Sequence, residues 1–268
     1  MRNFCTFVAM NEENKISVVI NTWNAEQHLR KVLESVKDFD EVLVCDMEST
    51  DSTLDIAREY GCRVVTFPKE GHTIVEPARE FAIHEAKHKW VLVIDADEVV
   101  TPQLKAYLYS QIFQQQCPTG IAIPRKNYFM GHFLHSAYPD YVLRFFQKEK
   151  THWPAVIHCS PEVEGSVERI PASRKELALE HLANDSVGDI IRKSNTYSDY
   201  ELPRRRHKNY GLWALFTRPT FRFVKSYIIK KGFLDGKPGL IHALLDGYYQ
   251  FIIVSKLIEE RKQQKRIE

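Results

Sequence analysis

The residues best placed to do chemistry are Asp95-Ala96-Asp97-Glu98, which follow the apolar run Val91-Leu92-Val93-Ile94. In extended backbone, side chains two apart project to the same side, so Asp95 and Asp97 can converge on one point. Two carboxylates brought together need a counter-charge. A Mg²⁺ or Mn²⁺ ion held by Asp95 and Asp97 and bridging to substrate phosphates would supply it; a solvated acidic turn is the simpler alternative. The apolar run in front favours the cation. Thr22, Asn24 and Glu26 form a second polar set, and Asp46, Ser49, Asp51 and Thr53 a third. Such amides and carboxylates can hydrogen-bond a ribose and a base edge. The same residue types are ordinary in turns and helix caps, and Ser49 to Thr53 is open to either use.

These sets belong together only if the intervening chain brings them to one edge. From Ile16 onward, short β-branched runs alternate with amphipathic stretches, the pattern of a parallel sheet covered by helices. Strands are predicted at residues 16–21, 42–46, 63–67 and 90–95, and helices at 25–36, from about 50 to Gly61, and at 77–88. In that arrangement all three polar sets fall at the carboxyl ends of strands, where α/β proteins bind ligands. Past residue 100 a helix is expected from Thr101-Pro102 to about Gln115. An aromatic-rich region with two or three strands follows from Tyr128 to Trp153, suited to an acceptor pocket. Helices are expected at 186–207, 219–231 and 238–262.

The chain has 268 residues, of which 44% are hydrophobic and 27% charged, enough for a sizeable core. Its formal net charge of +2 removes any argument for nucleic-acid binding from overall charge. The distribution is uneven, however: residues 201–268 hold 15 basic and 6 acidic side chains. That excess suggests a surface facing something anionic. Five cysteines lie scattered without metal or redox spacing, which fits a reducing compartment. The apolar stretch from Phe4 to Met10 is too brief for a signal-peptide core, and the run Pro238–Ile258 is interrupted by His242, Asp246, Gln250 and Lys256. A cytoplasmic protein that meets a membrane only by lying on its inner face is therefore expected. Neither GxGxxG nor GxxxxGK[ST] occurs, which argues against dinucleotide and P-loop chemistry and against a nucleotidyltransferase.

Thr22…Asn24-Ala25-Glu26, Val44 through Thr53, and Val93-Ile94-Asp95-Ala96-Asp97-Glu98 together resemble the family 2 glycosyltransferases of the GT-A fold. The resemblance spans roughly residues 15–255. It looks strongest to the branch containing lipopolysaccharide-core β-1,4-glucosyltransferases, through Arg79, Tyr138-Pro139-Asp140…Arg144, Arg222-Phe223-Val224-Lys225-Ser226-Tyr227 and Gly232-Phe233-Leu234-Asp235-Gly236. It implies a Rossmann-like mixed sheet flanked by helices, with a basic amphipathic helical appendage. It further implies inverting, metal-dependent transfer of a hexose from a UDP-sugar to a glycan or glycolipid of the cell envelope. On this resemblance Thr22, Asn24, Glu26, Asp46, Arg79, Asp95 and Arg144 bind the donor, and Asp97 with Asp95 holds the metal. Asp140 is the base. His158 is read as a third metal ligand or as a packed histidine. The chain departs from the branch at Arg79-Glu80, where Arg-Asn is usual, and at Ile157-His158-Cys159, where Val-His-Glu is usual.

The expected organisation is a catalytic domain over 15–185, its nucleotide-sugar half at about 15–100 and its acceptor half at about 101–185, followed by a helical region over 186–268. In that region Phe221, Val224, Tyr227, Ile228, Phe233 and Leu234 can line one face of a hairpin, with Arg218, Arg222, Lys225, Lys230, Lys231 and Lys237 supplying charge for an anionic membrane. Packing on the catalytic domain is the alternative. The competing class of function is a nucleotide-sugar-binding or scaffold protein that kept the fold and lost turnover.

Overall fold

The computed structural model describes residues 12–70, 75–114, 116–154, 159–184 and 186–267. The chain divides into two compact units, one comprising residues up to 125 with 140–181, the other 126–139 with 182–268.

The α/β part of the chain opens with β1 (Ile16–Thr22), α1 (Glu26–Val36), β2 (Glu41–Asp46), α2 (Thr53–Glu59), β3 (Arg63–Thr66), α3 (Glu76–Glu85) and β4 (Trp90–Asp95). It continues through β5 (Glu98–Val99), α4 (Pro102–Ile112), β6 (Gly120–Phe129), β7 (His132–Phe133) and β8 (Asp140–Gln147). The short strands β9 (Thr151–His152), β10 (Glu162–Val163) and β11 (Val167–Arg169) lead to β12 (Leu179–Asn184). The main sheet runs β3-β2-β1-β4-β8-β6-β12-β5. Strands β3, β2, β1 and β4 are parallel, and β8 is antiparallel to both β4 and β6. The expected mixed α/β sheet flanked by helices is thus the observed one.

Every residue of β1 is buried, as a central parallel strand covered on both faces requires. On one face Val18, Ile20, Leu92 and Ile94 pack with Leu29, Val32 and Leu33 of α1 and with Leu104 and Leu108 of α4. On the other, Val19, Leu43, Val91 and Val93 pack with Ala78, Ala82 and Ile83 of α3. The alternation of β1 therefore feeds two cores, which hold the strand ends, and the polar residues on them, in place.

Local differences from expectation have identifiable causes. Helix α3 stops at Glu85 rather than 88, because Lys87 N–H donates to Glu41 (2.7 Å) and His88 N–H to Ser17 Oγ (3.1 Å), anchoring the chain to the sheet. Helix α4 starts as expected, with Thr101 Oγ1 accepting from Leu104 N–H and Pro102 in the first turn, and ends at Ile112. Neither Ser49 nor Thr50 caps α2; Ser52 occupies the cap position, and Ser49 is engaged elsewhere.

In the second unit, α5 (Val187–Arg205), α6 (Ala214–Val224) and α7 (Gly236–Ile267) follow in order. Helix α6 begins five residues before Pro219, which sits inside it rather than opening it, and the chain continues as a π turn over Lys225–Ile229. Close approach to α7 is permitted by Gly247, where an added Cβ would come to 3.1 Å from the Pro219 carbonyl oxygen. Within this unit Asp235 holds residues 135 and 136, accepting from both the backbone N–H and Oγ of Ser136 (3.0 and 2.8 Å) and from His135 N–H (2.9 Å). Within the expected apolar face, Tyr227 stacks on Phe223 and meets Phe233 edge-on, whereas Phe221, Ile228 and Leu234 are exposed. Among the described residues no helix is long and apolar enough to cross a membrane.

Candidate active site

The loops that leave β1 and β2 are knitted together by the residues expected to meet a nucleotide. Asp46, wholly buried, accepts from Thr22 Oγ1 (2.8 Å), Ser49 N–H (2.8 Å) and Ser49 Oγ (2.6 Å). Asn24 Oδ1 accepts from Thr50 N–H (2.8 Å), and Glu26 Oε2 from Ser52 N–H (3.1 Å). Asn24 itself has φ near +48°, a left-handed conformation that asparagine tolerates better than most residues. As they stand, Thr22 and Asp46 lock the two loops to each other, and Asn24 and Glu26 order the second loop's backbone. Between them Trp23 is exposed, with Lys69 Nζ 3.5 Å from its ring centre.

At the end of β4, Asp95 faces two arginines. Asp95 Oδ1 lies 2.5 Å from Arg79 Nη2 and Oδ2 lies 2.5 Å from Arg144 Nη2. Burial opposes ionisation of Asp95, but Arg144, Arg79 and Arg125 outweigh it and hold the carboxyl below the usual carboxylate range. Asp95 and Asp97 therefore do not converge as an uncompensated pair. Asp97 turns to a different partner, with Oδ1 3.6 Å from His181 Nε2. Strand pairing explains the meeting, since β12 runs antiparallel to β5 with His181 opposite Glu98.

Glu98 is neither a helix cap nor an exposed sugar contact. It is wholly buried, accepting from Asp95 N–H (2.9 Å) through Oε2 and pairing with Arg125 Nη1 (2.9 Å) and Arg144 Nη2 (3.5 Å) through Oε1. Arg125 also reaches Asp140 Oδ2 through Nε (3.0 Å) and Nη2 (2.6 Å). Register sets this contact, because Arg125 of β6 lies directly opposite Asp140 of β8. Burial works against the charge on Arg125, and Glu98 and Asp140 more than compensate, raising its pKa. Asp140 remains partly exposed at the rim of a cavity of about 390 Å³, which Arg79, Arg125, Arg144, Glu76 and Trp153 also line. Glu80, the first departure from the branch pattern, anchors this wall by accepting from Trp153 N–H at 2.8 Å.

The structure thus links Asp95, Arg79, Arg144 and Asp140 through Glu98 and Arg125, and sets Asp97 beside His181. His158 lies outside the described residues. Reading the sequence missed Arg125 and His181, which sit in strands without a motif around them, and Trp23, whose position between Thr22 and Asn24 was a usable signal. Among the described residues no three metal-ligating side chains converge. The Asp97–His181 pair offers one oxygen and one imidazole donor, a set that suits Mn²⁺ better than Mg²⁺, with the other ligands left to substrate and water.

The family model described as glycosyl transferase family 2 matches residues 17–160. An uncharacterized glycosyltransferase of Rickettsia typhi is 25% identical over 263 residues, covering 91% of this chain and 87% of its own. Another, YibD of Escherichia coli, is 31% identical over 101 residues, or 35% of this chain and 29% of its own. Among solved structures, residues 1–349 of Staphylococcus aureus TarS in complex with UDP align over 92% of this chain and 91% of that one, with 15% identity and a TM-score of 0.48. Glucosyl-3-phosphoglycerate synthase of Mycobacterium tuberculosis, in complex with Mn²⁺, UDP and glucosyl-3-phosphoglycerate, aligns over 43% and 44%, with 25% identity and a TM-score of 0.34.

Proposed function

Because the chain belongs to glycosyl transferase family 2, we propose that it transfers a hexose, glucose or a related sugar, from a UDP-sugar to a glycan or glycolipid hydroxyl, with inversion at the anomeric carbon. Synthesis of lipopolysaccharide or another cell-envelope polysaccharide is the setting this reading favours. The observation that carries it is the continuous chain of contacts from Asp95 through Glu98 and Arg125 to Asp140. It couples the strand end where a nucleotide diphosphate would lie to a carboxylate at the rim of a cavity, which donor and acceptor chemistry both need.

In this scheme Asp140 accepts the proton of the acceptor hydroxyl while its oxygen bonds to the anomeric carbon. The bond from that carbon to the UDP oxygen breaks, and its electron pair leaves on the diphosphate. The two contacts from Arg125 fix the direction of the Asp140 carboxyl. Arg79 and Arg144 hold Asp95 against the sheet, and their charge favours the departing diphosphate. Trp23 offers a flat face for the base. Asp97 and His181 would hold a divalent cation, which when bound neutralises the leaving group as a Lewis acid. Residues 15–185 carry the catalytic parts, and 186–268 serve to place them near an acceptor at an anionic membrane surface.

Calorimetric titration with UDP, with and without Mn²⁺, tests the donor side, and release of UDP from UDP-glucose in the presence of a bacterial envelope glycolipid extract tests transfer. Asp97→Asn is expected to lose the Mn²⁺-dependent part of UDP binding. Asp140→Asn is expected to retain that binding and to lower turnover by roughly 10²- to 10⁴-fold, the range for losing a general base. A folded wild-type protein that ignored UDP under both conditions would leave the inactive scaffold as the better reading.

A further inference from the structure

Three residues that line the cavity beside Asp140 carry buried hydrogen-bond donors left unmatched by the described residues. Arg144 is 4% exposed, yet its Nε and Nη1 find no acceptor among the described residues, and the same holds for Arg79 Nε and Trp153 Nε1. Most buried polar groups are matched, so four such donors on three residues of one cavity ask for a common explanation. They are held rather than loose. The Nη2 atoms of both arginines are pinned to Asp95, and the Trp153 ring lies 4.9 Å from the Arg79 guanidinium carbon and 5.7 Å from that of Arg144.

The unmatched set has one chemical sense. Guanidinium and indole groups donate and cannot accept, so a neutral sugar, which offers as many donors as acceptors, would satisfy them poorly. An oxyanion presents only acceptors and gains from the charge on both arginines. None of Thr22, Asn24, Glu26, Asp46, Asp97 and His181 lines this cavity, and Asp95 at the end of β4 meets it only through Arg79 and Arg144. Asp140 and Glu76 on the same wall disfavour a ligand charged along its whole length. They suit one that is anionic at one end and carries a hydroxyl at the other.

We propose that this cavity is an oxyanion subsite for the acceptor, holding a phosphate or carboxylate group with Arg79, Arg144 and Trp153 while the acceptor hydroxyl lies near Asp140. The inference rests on the glycosyltransferase reading for the word acceptor; the oxyanion site itself stands on the geometry. Inorganic phosphate and acetate are the probes. Each is titrated calorimetrically into the full chain, with and without saturating UDP and Mn²⁺, using the wild type, Trp153→Phe and Arg144→Lys. Saturable uptake is expected, with phosphate the tighter probe for a phosphorylated acceptor and acetate for a carboxylated one. Uptake is expected to persist when UDP is bound. It should weaken roughly ten- to a hundredfold in Trp153→Phe, the loss of about one hydrogen bond to an anion, with UDP binding retained. Should Arg144→Lys fail to fold, Trp153→Phe decides. Absence of uptake by a folded protein that still binds UDP would overturn the subsite alone, as would strict competition with UDP, which would assign the anion to the donor diphosphate. Phosphate uptake without any UDP binding would overturn the donor reading and leave the oxyanion site standing.

Discussion

Asp95 illustrates how a charge is kept at a buried strand end. Two guanidiniums sit on its two oxygens, and Glu98 accepts from its backbone N–H. Removing one member of such a cluster leaves the others buried without compensation. Arg144→Met is therefore expected to lower the unfolding free energy by about 3–5 kcal/mol, read by urea denaturation. The acid dependence follows from the direction of the Asp95 shift. Its carboxyl is depressed below the ordinary 3.8, so its contribution is fully present above that pH and is lost as the pH falls through the lower folded-state value. Stability measured against pH should show Asp95→Asn and wild type differing by a constant amount above pH 3.8 and drawing together in stronger acid. Residue types and spacing made Asp95 and Asp97 legible in the sequence. Arg125 and His181 were not, because each meets its partner across a strand pair, 15 residues away for Asp140 in the first case and in a non-adjacent segment for Asp97 in the second.

At the scale of elements, strand identity followed from β-branched runs, and the helix ends followed where a cap residue stood at the right place. Helix α2 closes with Gly61 at φ near +67°, its N–H donating to the Arg58 carbonyl (2.9 Å) and Cys62 N–H to that of Ala57 (3.1 Å). This pair of bonds is the Schellman arrangement, which favours glycine at the left-handed position. An added Cβ at Gly61 meets nothing within 4 Å, so the cost of Gly61→Ala is conformational only. A loss of about 1 kcal/mol is expected in thermal or urea unfolding. The carboxyl end of α3 falls short of the expected one for a different reason. Side chains of Glu41 and Ser17 take the backbone donors that would have extended α3, and those partners lie 46 and 71 residues away. Local propensity carries no record of them.

For the molecule as a whole, the excess of base after residue 200 coincides with unburied apolar groups. Trp213 is 82% exposed, and exposed Ile228, Ile229, Phe233 and Leu234 alternate with exposed Lys230, Lys231 and Lys237. Apolar side chains beside lysines are what an interfacial surface on anionic lipid requires. The full chain is expected to co-sediment with phosphatidylglycerol vesicles and not with phosphatidylcholine vesicles, and to be released as salt is raised. Ile229→Glu with Leu234→Glu should weaken the co-sedimentation several-fold, while unchanged sedimentation would argue against the surface. The sequence by itself determined the alternation of strands and helices, the carboxylates at the end of β4, the family resemblance and the basic carboxyl-terminal quarter. These are properties of neighbouring residues, set by periodicity and spacing. Only the tertiary structure decided what those carboxylates face: arginines at Asp95, a histidine at Asp97, and Arg125 joining Glu98 to Asp140. Partner choice of that kind is set by sheet order and register, which arise from packing between segments far apart in the chain and leave no local pattern.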